Sequence, residues 1–138
     1  MRYPPARPTR ATLARSARRF LRRLALRGCE LSIVVVGDAA IRRLNRQWRD
    51  KDTATDVLGF PAGSLATGPK LLGDVVISYQ TAERRAKALG EPIQSELDRY
   101  LAHGLLHLLG YDHGTKSEAL RMAAREEQLL GRKGMVAG

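Results

Sequence analysis

All three histidines of this 138-residue chain fall within one eleven-residue window, HGLLHLLGYDH at residues 103–113. His103 and His107 are four positions apart, so on a helix their side chains lie on the same face, one turn apart. Gly110 predicts the end of that helix, because glycine readily takes the left-handed conformation that closes helices. The turn that follows can bring His113 back toward the other two. Three converging imidazoles form a catalytic type of zinc site, in which water takes the fourth position.

The apolar pattern around this window predicts alternating helices and strands. Asp38 is a candidate N-cap, Gly28 and Gly90 are candidate helix ends, and Thr115 with Glu118 forms a candidate capping box. A nearly continuous apolar strand at 30–36 should be buried on both faces. The predicted helices span 10–27, 39–48, 81–89, 92–109 and 116–130, and the predicted strands span 30–36, 56–60 and 72–78.

This order of elements predicts an α+β fold, with a small mixed β-sheet packed against about five to six helices. The metal site would lie on a central helix and its exit turn. The chain is short enough to form a single domain over residues 1–138. Residues 1–9 are expected to form a flexible arm, 62–71 a mobile glycine-rich loop and 131–138 a frayed tail.

The net charge of +10 indicates a polyanionic partner, with nucleic acid favoured over a membrane surface. An arginine-rich proteome is the alternative explanation. No apolar run reaches the roughly 20 residues needed to cross a bilayer, and the single cysteine, Cys29, fits a reducing compartment. The arginine-rich start at 10–27 resembles a mitochondrial transit peptide. Its apolar stripe favours an ordinary first helix with a basic outer face.

The histidine spacing also matches the long zinc-binding motif of metzincin peptidases. In such a peptidase the position after the first histidine carries the glutamate that acts as general base. Here that position is Gly104, which has no side chain to take a proton. A metal-free role for the histidines is the alternative, and three of them at ligand spacing argue against it. Asp112 could accept a hydrogen bond from an imidazole or simply form the turn.

Three sequence blocks carry a resemblance to the YbeY family of zinc-dependent bacterial endoribonucleases. HGLLHLLGYDH (103–113) resembles that family's HGxLHLxGYDH signature. LNRQWRDKDTATDVLGFP (44–61) and LGDVVIS (72–78) resemble two further blocks in order and spacing. Gly59 stands where the family usually has serine, and Ala54 where it usually has proline. These two departures affect the expected loop geometry more than the chemistry.

The resemblance implies an α+β fold, one Zn²⁺ per chain and cleavage of single-stranded RNA. By position it implies the metal ligands His103, His107 and His113 and an essential catalytic arginine, Arg49. The implied role is maturation of small-subunit ribosomal RNA and ribosome quality control in the cytoplasm. The implied partners are RNA, the small ribosomal subunit and its assembly factors, without a membrane or a small-molecule cofactor.

Arg49 would bind a phosphate and stabilise the charge of the transition state, and Lys51 would add a phosphate contact that is independent of sequence. Trp48 could stack on an unpaired base, but a lone tryptophan beside an apolar helix predicts a core residue. Two alternative functions stay open. One is a non-catalytic RNA-binding ribosome assembly factor with a structural zinc. The other is a metalloprotease, which Gly104 disfavours.

Overall fold

The computed structural model describes residues 7–62 and 70–131. In these ranges it has five α-helices and one three-stranded sheet, which confirms the predicted α+β class. The elements in chain order are α1 (Arg7–Arg23), β1 (Cys29–Val36), α2 (Asp38–Arg49), β2 (Val57–Pro61), β3 (Lys70–Ser78), α3 (Tyr79–Leu89), α4 (Ile93–Leu108) and α5 (Lys116–Leu130).

The sheet is mixed, with strand order β1-β3-β2. β1 runs parallel to the central strand β3, and β2 runs antiparallel to it. Alternate residues of β3 face opposite sides, so Val75 joins the core around α4 while Val76 joins the smaller core under α2. The sheet therefore lies between α2 on one face and α4 on the other.

Helix α4 is the centre of the larger core, as predicted for the helix that carries the histidines. It contacts α1, α3 and α5 as well as β2 and β3. Leu97, Leu101 and Leu105 recur at helical spacing and are fully buried. Their burial fixes the rotation of α4 about its axis and thereby the direction in which its histidines point.

Helix α1 belongs to the same core, since Leu13, Ala17 and Phe20 are buried in it. The predicted end at Gly28 is wrong, because α1 ends at Arg23. Ala25 takes the left-handed conformation with φ 56°, and the Leu26 N–H donates to the Leu21 carbonyl at 2.9 Å. Glycine usually provides this closure, and because alanine stands at the left-handed position here, the helix end could not be recognised from a glycine. The helix begins at Arg7, which makes residues 7–9 of the predicted arm helical.

The prediction that β1 is buried on both faces is also wrong. β1 is an edge strand, and most of its residues are only half-buried. The more deeply buried strand is the central strand β3, where Val75 and Ile77 have no exposed surface. An apolar run predicts burial, but the position of the strand in the sheet depends on pairings that lie far apart in sequence.

Asp38 does not cap α2 as predicted, because the helix starts one residue earlier and its N-cap is Gly37. The Asp38 carboxylate instead accepts hydrogen bonds from Ser78 at 2.6 Å, Thr81 at 2.8 Å and Arg84 at 2.6 Å. Burial raises the pKa of Asp38, but the hydrogen bonds from these three side chains outweigh it and hold the pKa below its ordinary value. Asp38 thus ties α2 to the start of α3.

The predicted capping box of α5 is present, with Thr115 and Glu118 each bonding the other's backbone N–H. Gly90 ends α3, as predicted. Gly131 ends α5, and residues 132–138 of the predicted tail lie outside the described ranges, as do residues 1–6 of the arm and 63–69 of the predicted mobile loop. Within residues 7–62 and 70–131, no helix is both long enough and apolar enough to cross a membrane.

Candidate active site

A cleft of about 590 Å³ lies beside strand β2, between α4 and the end of α2. Its lining includes all five side chains that the sequence singled out for metal and RNA binding: His103, His107, His113, Arg49 and Lys51. These residues come from α4, its exit turn, the last residue of α2 and the loop that follows it. The fold therefore places residues from two distant parts of the sequence around one concave surface.

Gly104 lies between the first two histidines and faces the sheet. A Cβ atom at this position would be 2.7 Å from Val75 Cγ1 and 3.0 Å from Val57 Cγ2. Both distances are shorter than an ordinary carbon–carbon contact of about 3.5–4.0 Å. The missing peptidase glutamate is thus explained by packing, because the position has no space for a side chain.

We expect Gly104→Ala to lower the free energy of unfolding by about 1–3 kcal/mol through overpacking, offset in part by the better helix propensity of alanine. Gly114→Ala is a matched control, since its Cβ would meet other atoms only at 3.5 Å and beyond. Urea unfolding of both variants measures the effect. Equal stability of the two variants would contradict the close packing of α4 on β2 and β3.

His103 is held by a residue that the sequence reading did not identify. Its Nδ1 lies 2.6 Å from Glu126 Oε2 on α5. An ionised carboxylate can only accept a hydrogen bond, so Nδ1 carries the proton and Nε2 keeps the free lone pair of a metal ligand. The hydrogen bond to Glu126 raises the pKa of His103 above its ordinary value, against the opposing effect of burial.

His107 is in a different environment from His103. Its Nδ1 is buried and has no hydrogen-bond partner within the described residues. Burial lowers the pKa of His107, and the positive charge of Arg49 lowers it further. Both effects favour the neutral imidazole, which is the form that binds a metal ion.

His113 is exposed on the exit turn that follows α4. Gly110 reverses the chain there with φ 96°, and the His113 and His103 rings are stacked with centroids 5.9 Å apart. Asp112 Oδ1 accepts a hydrogen bond from the His113 backbone N–H at 2.7 Å. Of the two roles considered for Asp112, this contact supports the turn former.

The three imidazoles share the cleft, but they are not clustered around one point. Within the described ranges, no three His, Cys, Asp or Glu side chains are placed closely enough to hold a metal ion as they stand. The donor set nevertheless fits Zn²⁺ in its chemistry. His103 has a carboxylate on Nδ1, His107 has a buried nitrogen that no described residue bonds, and His113 lies on an exposed turn.

Arg49 is the last residue of α2 and reaches across to β2. Its Nη2 donates to the Gly59 carbonyl at 2.5 Å, and its guanidinium carbon lies 5.5 Å from the centre of the Phe60 ring. The Arg49 residue remains exposed. These two contacts hold the guanidinium at the rim of the cleft. Its remaining N–H groups can bind a phosphate.

Asn45 holds the loop that carries Lys51, and it is a second residue whose role was not predicted from the sequence. Asn45 is buried, and its Nδ2 donates to the Thr53 carbonyl at 2.9 Å. The Lys51 N–H donates to the Asn45 carbonyl at 3.2 Å. Asp50 makes the turn between them in the left-handed conformation, with φ 58°. Ala54, in the same loop, is exposed.

Gly59 lies on β2 and faces α4, the helix that carries His103 and His107. A Cβ at this position would be 3.3 Å from the Gly104 carbonyl oxygen and 3.4 Å from Leu108 Cδ2. The site therefore accommodates a larger residue only if the helix moves by a few tenths of an ångström. Glycine here allows α4 to approach β2 closely, which accounts for this departure from the family pattern.

The prediction that Trp48 is a core residue is wrong. Its exposed fraction is 63%, and it lies at the end of α2 beside Phe60. Trp48 continues the helical spacing of Ile41 and Leu44 on α2. Helical spacing predicts which face of a helix is apolar, but it does not show how much of that face is covered by packing.

Comparisons with known proteins agree with this arrangement. The family model described as Endoribonuclease YbeY matches residues 7–134. A Myxococcus xanthus protein named Endoribonuclease YbeY is 63% identical over 124 residues, which cover 88% of this chain and 42% of that protein. A protein of the same name from Anaeromyxobacter sp. (strain Fw109-5) is 50% identical over 134 residues, or 97% of this chain and 70% of that protein. The chain thus spans less than half the length of the Myxococcus relative.

The fold also matches a known structure. The solution structure of a Thermotoga maritima protein superposes with a TM-score of 0.59, covering 95% of this chain and 89% of that one. Sequence identity in this pair is 22%, so the match concerns the fold alone.

Proposed function

The chain belongs to the YbeY endoribonuclease family, and from this premise we propose that it is a metal-dependent endoribonuclease that cuts single-stranded RNA. The substrate we assign is ribosomal RNA, in the maturation of the small subunit and in ribosome quality control. The partners we assign are the small subunit and its assembly factors. The proposed setting is the cytoplasm, with one Zn²⁺ per chain.

One observation carries this proposal: the three histidines and Arg49 line the same cleft from opposite sides of β2. When bound, Zn²⁺ supplies Lewis-acid polarisation of a phosphoryl oxygen and makes water a better nucleophile at neutral pH. A guanidinium on the facing rim supplies bidentate hydrogen bonds to the same class of substrate group. Together these two groups would bind the phosphate and stabilise the charge that develops on it.

The residues of the chain have separate roles in this proposal. Arg49 binds the scissile or adjacent phosphate and stabilises the charge that develops on it. The exposed Lys51 adds a phosphate contact that is independent of sequence. Glu126 fixes the orientation of the His103 ring through Nδ1. Asn45 holds the loop that places Lys51 at the cleft.

Glu126→Gln should weaken zinc binding about 10- to 100-fold, because a neutral amide accepts a weaker hydrogen bond from the His103 N–H than a carboxylate does. Competition with a chelating dye measures the zinc affinity independently of RNA cleavage. Glu83→Gln removes an exposed carboxylate on α3 and serves as the matched control. Unchanged zinc affinity in Glu126→Gln would show that Glu126 does not position a ligand.

The proposed function is tested with one RNA sequence offered in two forms, as a single strand and annealed to its complement. We expect the purified protein to cut only the single strand, to lose this activity after treatment with a chelator and to regain it when Zn²⁺ is added. Cleavage that continues unchanged in excess chelator would contradict metal dependence, and equal cleavage of the duplex would contradict the assigned substrate.

A metalloprotease is not supported by the structure. The position of the peptidase base is packed against Val75 and Val57, and no glutamate fits there. The remaining alternative is an assembly factor that binds RNA without cutting it. The same experiment separates it from the proposal, since such a factor would bind the single strand and leave it intact.

A further inference from the structure

The Trp48 side chain is exposed, although its position on α2 predicts a core residue. It is the only tryptophan of the chain. Within the described ranges it is one of four large hydrophobic residues with substantial exposure; the others are Leu71, Leu89 and Leu120. Trp48 differs from these three because it directly precedes Arg49, which lines the cleft.

The Trp48 ring is supported on one side and open on the other. It contacts Phe60 edge to face, with ring centroids 6.3 Å apart and planes at 70°. Phe60 itself packs against the core under α2 and is only partly exposed. An aromatic contact of this kind restricts the motion of the tryptophan, while 63% of the residue surface remains available.

The same phenylalanine connects Trp48 to the phosphate-binding arginine. The Arg49 guanidinium lies 5.5 Å from the Phe60 ring centre, and the Trp48 ring contacts the same phenylalanine. Phe60 thus supports both an aromatic surface and a cation at the end of α2. A strand whose phosphate is held by Arg49 would bring a neighbouring base to Trp48.

The surrounding charge indicates which partner fits this surface. Helix α2 carries one acidic residue, Asp38, in its first turn, and that carboxylate is occupied by Ser78, Thr81 and Arg84. The exposed surface of the helix carries four arginines, Arg42, Arg43, Arg46 and Arg49. Arg42 pairs with Asp52 at 2.9 Å, and the other three add to the positive charge of this surface. An exposed aromatic ring beside clustered cations is the arrangement that binds single-stranded nucleic acid.

We propose that Trp48 is a stacking platform for an unpaired base next to the phosphate held by Arg49. The inference rests on the proposed function and deepens it, because it assigns a residue to the recognition of single strands. Bases in a duplex are stacked on one another and cannot lie against a protein ring, whereas unpaired bases can. Trp48 would therefore bind RNA independently of sequence and disfavour duplexes.

Because the chain has one tryptophan, its intrinsic fluorescence reports on this ring alone. The probe is a short single-stranded RNA added in the presence of a chelator, so that binding is measured without cleavage. We expect saturable quenching of Trp48 by the single strand and much weaker quenching by the duplex. Absence of quenching on binding of the single strand would overturn the inference.

Substitution at Trp48 measures its contribution by fluorescence anisotropy of a labelled RNA. We expect Trp48→Ala to weaken binding about 5- to 100-fold, and Trp48→Phe, which keeps a ring, to lose less. Leu89→Ala is the matched control, since it truncates another exposed hydrophobic residue away from the cleft. Equal RNA affinity of wild type and Trp48→Ala would overturn the inference, and it would indicate that the exposed ring binds a protein partner instead.

An RNA series in which each nucleotide in turn lacks its base makes the test specific. One abasic position should weaken binding to the wild type and should have no further effect on Trp48→Ala. This result is independent of cleavage. If the wild type cuts RNA but Trp48 has no effect on binding, only the inference fails. If binding depends on Trp48 but zinc-loaded protein leaves RNA intact, only the proposed function fails.

Discussion

Replacing Arg49 by alanine should lower the rate of RNA cleavage about 100- to 1000-fold while leaving the zinc content unchanged. The magnitude is that of removing one group that stabilises transition-state charge. Arg49 is not a candidate metal ligand, and it contacts the Gly59 carbonyl and the Phe60 ring. Single-turnover cleavage of a labelled single strand, with metal analysis of the same sample, measures both quantities.

Two further variants separate the effect of Arg49 from general loss of charge. Arg49→Lys keeps the charge but loses the planar fork, so its rate should lie between those of wild type and Arg49→Ala. Arg15→Ala removes an exposed arginine from α1 that does not line the cleft, and it should change the rate little. A rate for Arg49→Ala within a few-fold of the rate for Arg15→Ala would show that Arg49 acts only through net charge.

The second large effect concerns the metal. We expect His107→Ala to reduce the zinc content from about one ion per chain to nearly none, because two remaining imidazoles do not hold zinc tightly. RNA cleavage should fall to background in the same variant. Asp112→Asn is the control, since Asp112 Oδ1 accepts from a backbone N–H and an amide oxygen can do the same. Full zinc content in His107→Ala would remove His107 from the ligand set.

Circular dichroism must show that His107→Ala is folded before its zinc content is interpreted. His107 is half-buried at the edge of α4, whereas the core of that helix is formed by leucines such as Leu101 and Leu105, which are fully buried. The helix should therefore persist in the variant. A folded protein that retains zinc and a folded protein that loses it are then distinguishable outcomes.

The parts of the fold that sequence predicted well are those that depend on local signals. Helix α4 follows from leucines at helical spacing, and α5 follows from the capping box of Thr115 and Glu118. The three strands follow from short β-branched runs between turns. Each of these signals lies within the element that it specifies or directly beside it.

Two of the errors involve contacts between distant parts of the chain. Asp38 has the residue type of an N-cap, but Ser78, Thr81 and Arg84 occupy its carboxylate. β1 has an apolar sequence but lies at the edge of the sheet. In both cases the local pattern was compatible with two structures, and a tertiary neighbour decided between them.

The candidate site shows the same difference between features that depend on local signals and features that depend on long-range contacts. The histidine window could be identified from spacing, Arg49 from the family resemblance and Lys51 from its positive charge, and all five residues line one cleft. Glu126 could not be found by spacing, because 23 positions separate it from His103. The exposure of Trp48 could not be predicted from its spacing on α2. Residues that position or extend a site thus emerge only when the elements are packed together.

The central claim is that the three histidines hold the metal on which RNA cleavage depends. It is tested most directly by comparing wild type with a variant in which His103, His107 and His113 are all alanine, purified in parallel and assayed on the same single-stranded RNA. We expect about one zinc per wild-type chain, none in the variant, and cleavage by the wild type alone. Full cleavage by the zinc-free variant would contradict the claim.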